Sequence, residues 1–284
     1  QFCLKKIYKE KLLRNVKNMF EKISVYGGTG FIGSRFCKLY DSIKIPREHR
    51  VPESNNILYC ISTTTNHNIH EDLHVDINTN LNVLMNVLDN CKNQNIVFNF
   101  VSSGFVYGPE VVDASENDPC NPQGFYSITK RTAEQMLVTF CETFDVKYRI
   151  FRLANVYGKD KNCSFKKNVL GYIINRLKNN QDIDLYNYGS FKRDFIFVDD
   201  VCDAMYQLMN NSETNQIYNI GTGIIVEFKD AVEISKKLLS SKSTIKYLPN
   251  PAPDYYLNVN KIKNIGFQYK ISLLEGLKIV CCTD

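Results

Sequence analysis

A tyrosine and a lysine four positions apart, Tyr126 and Lys130, have the types and spacing of an acid–base pair. On a helix this spacing puts both side chains on one face. A nearby ammonium stabilises a phenolate, so the tyrosine can act as a base below its free pKa of about 10. The spacing alone is not specific, because the chain repeats it elsewhere: Tyr40/Lys44, Tyr157/Lys161 and Tyr188/Lys192.

Only the copy at Tyr126 has the right surroundings. It opens a helical pattern after the Pro/Gly turn at 119–124, and it follows the strand-end sequence at 101–108. A catalytic tyrosine is therefore predicted at position 126.

Three glycines, Gly27, Gly30 and Gly33, follow the apolar run 23–26 and precede a helical pattern. In this strand–turn–helix order, the spacing is typical of a site for the phosphates of a dinucleotide. Gly27 permits a tight turn, Gly30 lets the backbone approach a pyrophosphate, and Gly33 lets the helix pack against the strand. The first helical residues, Phe31 and Ile32, belong to the same predicted cofactor site, since the N–H groups and dipole of a helix start attract negative charge.

The residues beyond this turn include candidates for binding NAD and candidates for binding NADP. The acidic residue that binds a ribose 2′-hydroxyl about 20 residues past the glycines has only Glu48 and Glu53 as weak candidates. Arg47 and Arg50 would suit a 2′-phosphate instead. The alternative, that they are loop arginines with no role in ligand binding, is equally compatible with the sequence. Arg47 is taken as the candidate cofactor residue, and NAD is slightly favoured over NADP.

Strand-like runs alternate with helical patterns along the chain, which predicts an α/β fold with a doubly wound parallel (Rossmann-type) sheet. The predicted strands are 23–26, 57–62, 96–102, 148–154, 195–198 and 217–220. The predicted helices are 80–92, 126–144, 166–179, 200–211, 228–240 and 272–280.

The sheet is expected to be shortened after its first strand–helix unit. Too few residues separate Gly33 from the strand at Ile57 for two more strands and their crossovers, and only one short strand near 43–45 fits. The side of the sheet that wraps the adenosine of a dinucleotide is therefore predicted to be reduced.

The motifs together resemble the extended short-chain dehydrogenase/reductase family, and within it the nucleotide-sugar epimerase/dehydratase group. The motifs that carry the resemblance are Gly27-x-x-Gly30-x-x-Gly33, Ser102-Ser103, Val106-Tyr107-Gly108, Tyr126-x-x-x-Lys130, 152–158, 193–201, 218–223 and 264–267.

The resemblance implies a catalytic group of three side chains. Tyr126 would be the acid/base, and Lys130 would lower its pKa and bond the nicotinamide ribose. Ser103 would hydrogen-bond the reacting sugar hydroxyl or ketone, with Ser102 a strand-end residue.

The resemblance also implies residues that hold a nucleotide-sugar substrate. Asn155 and Arg193 match positions that contact it, with Arg193 aimed at the pyrophosphate, which a guanidinium binds bidentately. A salt bridge from Arg193 to Asp194 or Asp199 is the alternative. Asn80 matches a helix asparagine near the active site, with Asn78 as a rival register.

Two departures from the family pattern narrow the function. Dehydratases of the family carry an Asp-Glu pair where this chain has Gly104-Phe105, and neither of these residues can transfer a proton. A 4,6-dehydratase is therefore not expected. The arginine near the family's C-terminus is replaced by the stretch 249–254, which leaves the nucleotide unspecified.

Three functions stay open. The leading hypothesis is an NAD(P)-dependent 4-epimerase of a nucleotide sugar, the second is an NADPH-dependent nucleotide-4-keto-sugar reductase, and the third is a non-catalytic nucleotide sensor. The epimerase and the reductase would use the same residues at C4 of the sugar.

Bulk composition excludes several classes. The net charge of +5 equals the excess in the first twenty residues, so no nucleic-acid partner is expected. No apolar stretch is long enough to span a membrane. The ten cysteines lack zinc spacing, so neither a metal site nor a disulfide framework is expected, and a cytoplasmic location is predicted.

The order of elements predicts how the chain is divided. Residues 1–20 would form a basic helical extension, 21–158 with 195–225 a dinucleotide-binding domain, and 159–194 with 226–284 a smaller substrate domain. The resemblance implies a homodimer through the helices at 80–92 and 126–144.

Overall fold

The computed structural model describes residues 22–64, 70, 72–159 and 169–282. The predicted basic helix at 1–20 and the first residues of the predicted helix at 166–179 lie outside these ranges.

Within the described residues, the elements that the sequence predicted begin and end within three residues of their predicted positions. The strands are β1 Ile23–Tyr26, β2 Ser42–Lys44, β3 Asn56–Tyr59, β4 Val97–Ser103, β5 Val111–Ala114, β6 Lys147–Leu153, β7 Asn155–Tyr157, β8 Ile183–Leu185, β9 Lys192–Phe197, β10 Gln216–Ile220, β11 Ile225–Glu227, β12 Ile245–Tyr247 and β13 Tyr255–Leu257. The helices are α1 Phe31–Leu39, α2 Val83–Asp89, α3 Phe125–Thr143, α4 Val169–Lys178, α5 Val198–Asn211, α6 Phe228–Leu238, α7 Asn260–Asn264 and α8 Leu273–Cys282. A π-helical turn, Ile77–Asn82, leads into α2.

A six-stranded parallel sheet in the order β10-β6-β4-β3-β1-β2 forms the centre of the protein. This confirms the predicted doubly wound α/β fold. From β1 the strand order runs to β2 on one side and to β3, β4, β6 and β10 on the other. Ligands bind at such a switch point, beyond the carboxyl ends of the strands.

The sheet is shortened where the sequence predicted. β2 is an edge strand beside β1, and the chain returns from it to β3 through residues 45–55 without a further strand or helix. The edge of the sheet next to the glycine turn therefore consists of a single strand of three residues, β2.

Apolar side chains cover both faces of the sheet. On one face Phe36 of α1 and Val201 of α5 belong to the larger buried cluster. On the other face Leu84 of α2 and Leu137 of α3 belong to a second cluster. All four side chains are fully buried, and burial of this kind is worth about 2 kcal/mol for each large apolar side chain.

A second sheet, in the order β11-β9-β13-β5, lies beyond the carboxyl ends of the main strands, and β7 pairs with β9. Of its strands only β9 was expected, and it begins three residues earlier than predicted. The others have three or four residues each, too few to show an alternating pattern. The division of the chain into a dinucleotide domain and a substrate domain stays a prediction.

Candidate functional site

The glycine turn joins β1 to α1 in the geometry that its spacing predicts. Gly27 has a φ of +77°, which glycine adopts without strain, and the Gly30 N–H donates to the Gly27 carbonyl at 2.9 Å. A β-carbon on Gly33 would collide with the Gly27 carbonyl oxygen and lie 2.9 Å from its carbon. The turn is therefore tight enough to need glycine at 27 and 33.

The first turn of α1 offers free backbone donors. Gly30 precedes the helix without a capping side-chain hydrogen bond, and no acidic residue lies in the first turn. Phe31 and Ile32 are half-buried there. Uncapped N–H groups at a helix N-terminus bind anions, so the fold provides a place for a pyrophosphate.

The structure brings a basic residue, Lys44, close to this turn. The sequence did not indicate Lys44 as a cofactor residue. It is exposed at the carboxyl end of β2, and a β-carbon on Gly28 would lie 2.6 Å from its Cγ. Arg47 lies further along the loop with 96% of its side chain exposed, 4.0 Å from Glu48. Its predicted contact with the cofactor stays a prediction.

Tyr126 lies between the ends of two neighbouring parallel strands. It is the second residue of α3 and is half-buried. Burial raises the pKa of its phenol above the ordinary value, while the Ser103 and Ser62 hydroxyls lower that pKa as hydrogen-bond partners and the Asp76 carboxylate raises it. Ser103 ends β4 and Ser62 follows β3, so the phenol stands at the carboxyl edge of the main sheet.

Lys130 lies one turn further along α3 and is 2% exposed. Its Nζ donates to the Val101 carbonyl at 2.7 Å and lies 4.1 Å from the centroid of the Phe100 ring. Burial lowers the pKa of this ammonium to about 7, partly offset by Glu134. The ammonium contacts β4, and its predicted effect on the Tyr126 pKa stays a prediction.

The two serines at the end of β4 differ in their contacts. Ser103 is 9% exposed, and its Oγ accepts the Phe105 N–H at 3.3 Å. Ser102 is buried, and its hydroxyl has no partner among the residues that the structure describes. The lone pairs of Ser103 and its nearness to Tyr126 fit the predicted role of holding a sugar oxygen.

Asn80, in the π-helical turn, links the segment that follows β3 to α3. Its Oδ1 accepts from Ser62 Oγ at 3.1 Å and the Thr63 N–H at 2.9 Å. Its Nδ2 donates to Thr63 Oγ1 at 2.8 Å and Thr129 Oγ1 at 2.9 Å. All its hydrogen-bonding capacity is used, so Asn80 fixes the end of β3 against α3.

Arg193, at the second position of β9, is held by backbone carbonyls. Its Nη1 donates to Lys192 O at 2.8 Å and Pro253 O at 2.7 Å, and its guanidinium stacks 4.5 Å from the Phe191 ring. Burial lowers its pKa to about 10, and Tyr255 and Asp254 act in the opposite direction.

The alternative of a salt bridge from Arg193 to Asp194 or Asp199 is wrong. Asp199 pairs with Arg35 at 2.6 Å, and Asp194 accepts from the N–H groups of Thr222 at 3.2 Å and Gly223 at 2.9 Å. Asn155 lies beside this segment and donates from Nδ2 to the Asp194 carbonyl at 3.2 Å. The Arg193 guanidinium therefore keeps donors for an anion.

Two absences hold for the described residues. Within 22–64, 70, 72–159 and 169–282, no group of three or more His, Cys, Asp or Glu side chains could hold a metal ion. In the same ranges, no helix combines the length and apolar character needed to cross a bilayer.

Comparison with known proteins gives a family and a fold. The profile of the NAD dependent epimerase/dehydratase family matches residues 56–221. A putative UDP-glucose 4-epimerase of Methanocaldococcus jannaschii is 31% identical over 63% of this chain and 59% of its own length. The dTDP-4-dehydro-6-deoxyglucose reductase of Escherichia coli is 26% identical over 86% of this chain and 80% of its own length.

Among solved structures, a UDP-glucose 4-epimerase of Thermotoga maritima, determined with UDP-glucose, superposes with a TM-score of 0.80 at 24% identity. The superposition covers 92% of this chain and 97% of that one. At this identity the likeness concerns the fold.

Proposed function

The chain belongs to the NAD-dependent epimerase/dehydratase family, and we propose that it is an NAD(P)-dependent oxidoreductase that acts at C4 of a nucleotide sugar, as a 4-epimerase. The observation that carries this proposal is the position of Tyr126 beside Ser62 and Ser103. Those strand ends adjoin the glycine turn, since a β-carbon on Gly27 would lie 3.0 Å from Cys60 C and Ile61 N. One edge of the sheet would thus combine a phosphate-binding turn with an acid–base group.

The glycine turn has the packing typical of a dinucleotide-binding turn, because Gly33 brings α1 directly against the Gly27 carbonyl. Gly27, Gly30, Gly33, Phe31 and Ile32 would hold the cofactor pyrophosphate. When bound, a nicotinamide ring supplies reversible two-electron oxidation of an alcohol carbon.

The chain's own residues would move the proton and hold the sugar. Tyr126 would take the proton of the C4 hydroxyl and give it back when the ketone is reduced. Ser103 would donate a hydrogen bond to the reacting oxygen, and a fixed donor stabilises charge as it develops there. Lys130 would bond the ribose of the nicotinamide and stabilise the Tyr126 phenolate.

Arg193 and Asn155 would hold the nucleotide part of the substrate. A half-buried guanidinium already fixed by two carbonyls loses little entropy when it binds a pyrophosphate.

Replacing Arg193 by alanine should therefore raise the KM for the nucleotide sugar by roughly 10- to 100-fold, as expected for a charged hydrogen bond. The turnover number should change less than threefold, since uniform binding is lost. Steady-state kinetics on the variant measure both values. The matched control is Arg176→Ala, an arginine that donates to the Asp182 carbonyl on the surface and should change neither. A lower turnover number with unchanged KM would place Arg193 in the chemical step.

Lys44 supports NADP as the cofactor, in contrast to the slight preference for NAD drawn from the sequence. An exposed ammonium at the end of β2 takes the place where an acidic residue would bind the ribose 2′-hydroxyl, and it would attract a 2′-phosphate instead.

The charge reversal Lys44→Glu should weaken NADPH binding by about tenfold relative to NADH. Thermal unfolding with NAD⁺, NADH, NADP⁺ and NADPH shows the change, because each bound cofactor raises the midpoint. Lys38→Glu on the exposed side of α1 is the control. Equal losses for NADH and NADPH would remove Lys44 from the recognition of the 2′-phosphate.

The reductase is the second candidate, supported by the alignment of the Escherichia coli reductase with 86% of this chain. Product analysis separates the two. An epimerase converts a nucleotide sugar without net use of cofactor, whereas a reductase consumes NADPH with a 4-keto sugar. A protein that binds cofactor but converts neither would be the non-catalytic sensor.

The homodimer and the cytoplasmic location remain proposals. Exposed apolar side chains on the two helices named for the interface support the dimer: Met85 and Ile128. The eight cysteines in the described residues are free. Sedimentation of the purified protein would test the dimer.

A further inference from the structure

Asp76, the residue before the π-helical turn, places a buried carboxylate beside the acid–base group. Its side chain is fully buried, and its Oδ1 accepts a hydrogen bond from Thr63 Oγ1. Its Oδ2 has no hydrogen-bond partner among the residues that the structure describes. A buried carboxylate with an unpaired oxygen costs folding free energy, and native proteins leave few such groups. Asp76 therefore calls for a functional reason.

A chain of hydrogen bonds runs from Asp76 towards Tyr126, and the donors in it are fixed. An ionised carboxylate only accepts, so Thr63 Oγ1 donates to Asp76 and accepts from Asn80 Nδ2 at 2.8 Å. The amide oxygen of Asn80 then accepts from the Thr63 N–H at 2.9 Å and from Ser62 Oγ at 3.1 Å. The proton of the Ser62 hydroxyl is therefore committed to Asn80.

This commitment determines what Ser62 offers to the Tyr126 phenol, its other hydrogen-bond partner. The serine oxygen presents lone pairs, to which a phenol O–H can donate and a phenolate cannot. Ser62 could stabilise a phenolate only by turning its proton away from Asn80 and giving up that bond. The segment that follows β3 thus favours Tyr126 with its proton on.

The charge of Asp76 acts in the same direction. Burial raises the pKa of Tyr126, and the Asp76 carboxylate raises it further, because a negative charge disfavours a second one nearby. From β13, Tyr255 faces the phenol as a neutral group, since burial raises its own pKa well above the ordinary value. From α3, Lys130 is the cation that would oppose Asp76, and its Nζ donates to the Val101 carbonyl.

We propose that Asp76 is a positioning residue that holds Tyr126 in its protonated form, so that the resting site is set to give a proton to a sugar ketone. This inference rests on the proposed function and goes beyond it by assigning a resting protonation state. In the reduction the proton leaves Tyr126 Oη for the C4 oxygen, with hydride taken from the reduced nicotinamide, and a phenolate remains. Oxidation of the sugar alcohol first requires Tyr126 to lose its proton.

The test compares Asp76→Asn with Asp72→Asn. The first change removes the charge but keeps the shape of the side chain and an oxygen for Thr63. The second removes an exposed carboxylate of the same segment, which accepts from the His74 N–H at 2.9 Å. The tyrosines are isotopically labelled at Cζ, and the signal that is absent in Tyr126→Phe is followed by nuclear magnetic resonance from about pH 7 to about pH 11.

The wild-type signal should be that of a phenol at neutral pH. In Asp76→Asn the midpoint of its titration should fall by about one pH unit, because the phenolate no longer meets a negative charge. Asp72→Asn should leave the midpoint unchanged. A phenolate in the wild type at neutral pH would overturn the inference, as would signals of wild type and Asp76→Asn that coincide over the whole range.

Thermal unfolding separates this role from a structural one. Removal of a buried charge should leave the unfolding midpoint unchanged or raise it. A lower unfolding midpoint with an unshifted Tyr126 titration would mark Asp76 as a structural residue. Asp76→Ser, which also removes the charge, is the second variant if Asp76→Asn does not fold, and the same fall in the Tyr126 midpoint is expected from it.

The titration uses no substrate, so its outcome is independent of turnover. If Tyr126 titrates as expected but the wild type changes no nucleotide sugar at C4, the proposed function fails and the held proton has no sugar to reach. If the wild type acts at C4 and Asp76→Asn leaves the Tyr126 titration unshifted, the inference alone is overturned.

Discussion

Tyr126→Phe should lower the turnover number by roughly 10²- to 10⁴-fold, the usual contribution of a positioned acid–base group. The phenylalanine ring fills the same volume but cannot take or give a proton. Because the ring is kept and only the hydroxyl oxygen is removed, stability should change little. Cofactor binding should persist, since the glycine turn is unaltered.

Steady-state turnover of the nucleotide sugar, with cofactor binding followed by thermal unfolding, measures both parts of this prediction. The matched control is Tyr148→Phe, at the amino end of β6 and so at the opposite edge of the sheet. Unchanged turnover in Tyr126→Phe would remove this residue from the chemical step. A wild-type protein that binds cofactor without turnover would favour the non-catalytic sensor.

Gly33→Ala should abolish measurable cofactor binding, a loss of more than about 100-fold in affinity. The added methyl group would meet the carbonyl oxygen and carbon of Gly27. These are backbone atoms, which have little room to shift. The turn must open to relieve the collision, and it would then lose the geometry that holds a pyrophosphate. Overpacking of this kind also costs about 1–3 kcal/mol of folding stability.

The measurement is the rise in unfolding midpoint on addition of each of the four nicotinamide cofactors. Ser34→Ala, a neighbouring change in α1 that removes only a 3.3 Å hydrogen bond to Phe31 O, is the control. A Gly33→Ala protein that folds and gains as much stabilisation from cofactor as the wild type would contradict the assignment of this turn.

The central sheet, and the positions of the glycine turn, Ser103 and Tyr126 in it, were predictable because local sequence determines them. The glycine spacing needs only a strand before it and a helix after it, and both Ser103 and Tyr126 lie at the starts or ends of long periodic elements. Carboxyl ends of parallel strands share one edge, so residues that follow β1, β3 and β4 had to meet.

The missed residues depend on contacts between distant parts of the chain. Tyr255 lies beside Gly104 only because β13 pairs with β5 and β9, strands of three to six residues whose pairing has no local signal. Lys44 approaches Gly28 because the sheet ends at β2. The short connection after Gly33 predicted this edge but did not identify Lys44 as the side chain beside the turn. The register of short strands is weakly specified by sequence, since few alternating positions define it.

Chemistry at C4 of a nucleotide sugar, centred on Tyr126, is the claim that one measurement tests most directly. Cofactor-loaded protein is mixed with UDP-glucose, dTDP-glucose or UDP-glucuronic acid, and separately with a nucleotide-4-keto sugar and NADPH, and the products are resolved by nuclear magnetic resonance. The account predicts inversion or reduction at C4 by the wild type in one of these mixtures, and its loss in Tyr126→Phe. No change at C4 in any mixture, in protein shown by thermal unfolding to bind its cofactor, would contradict it.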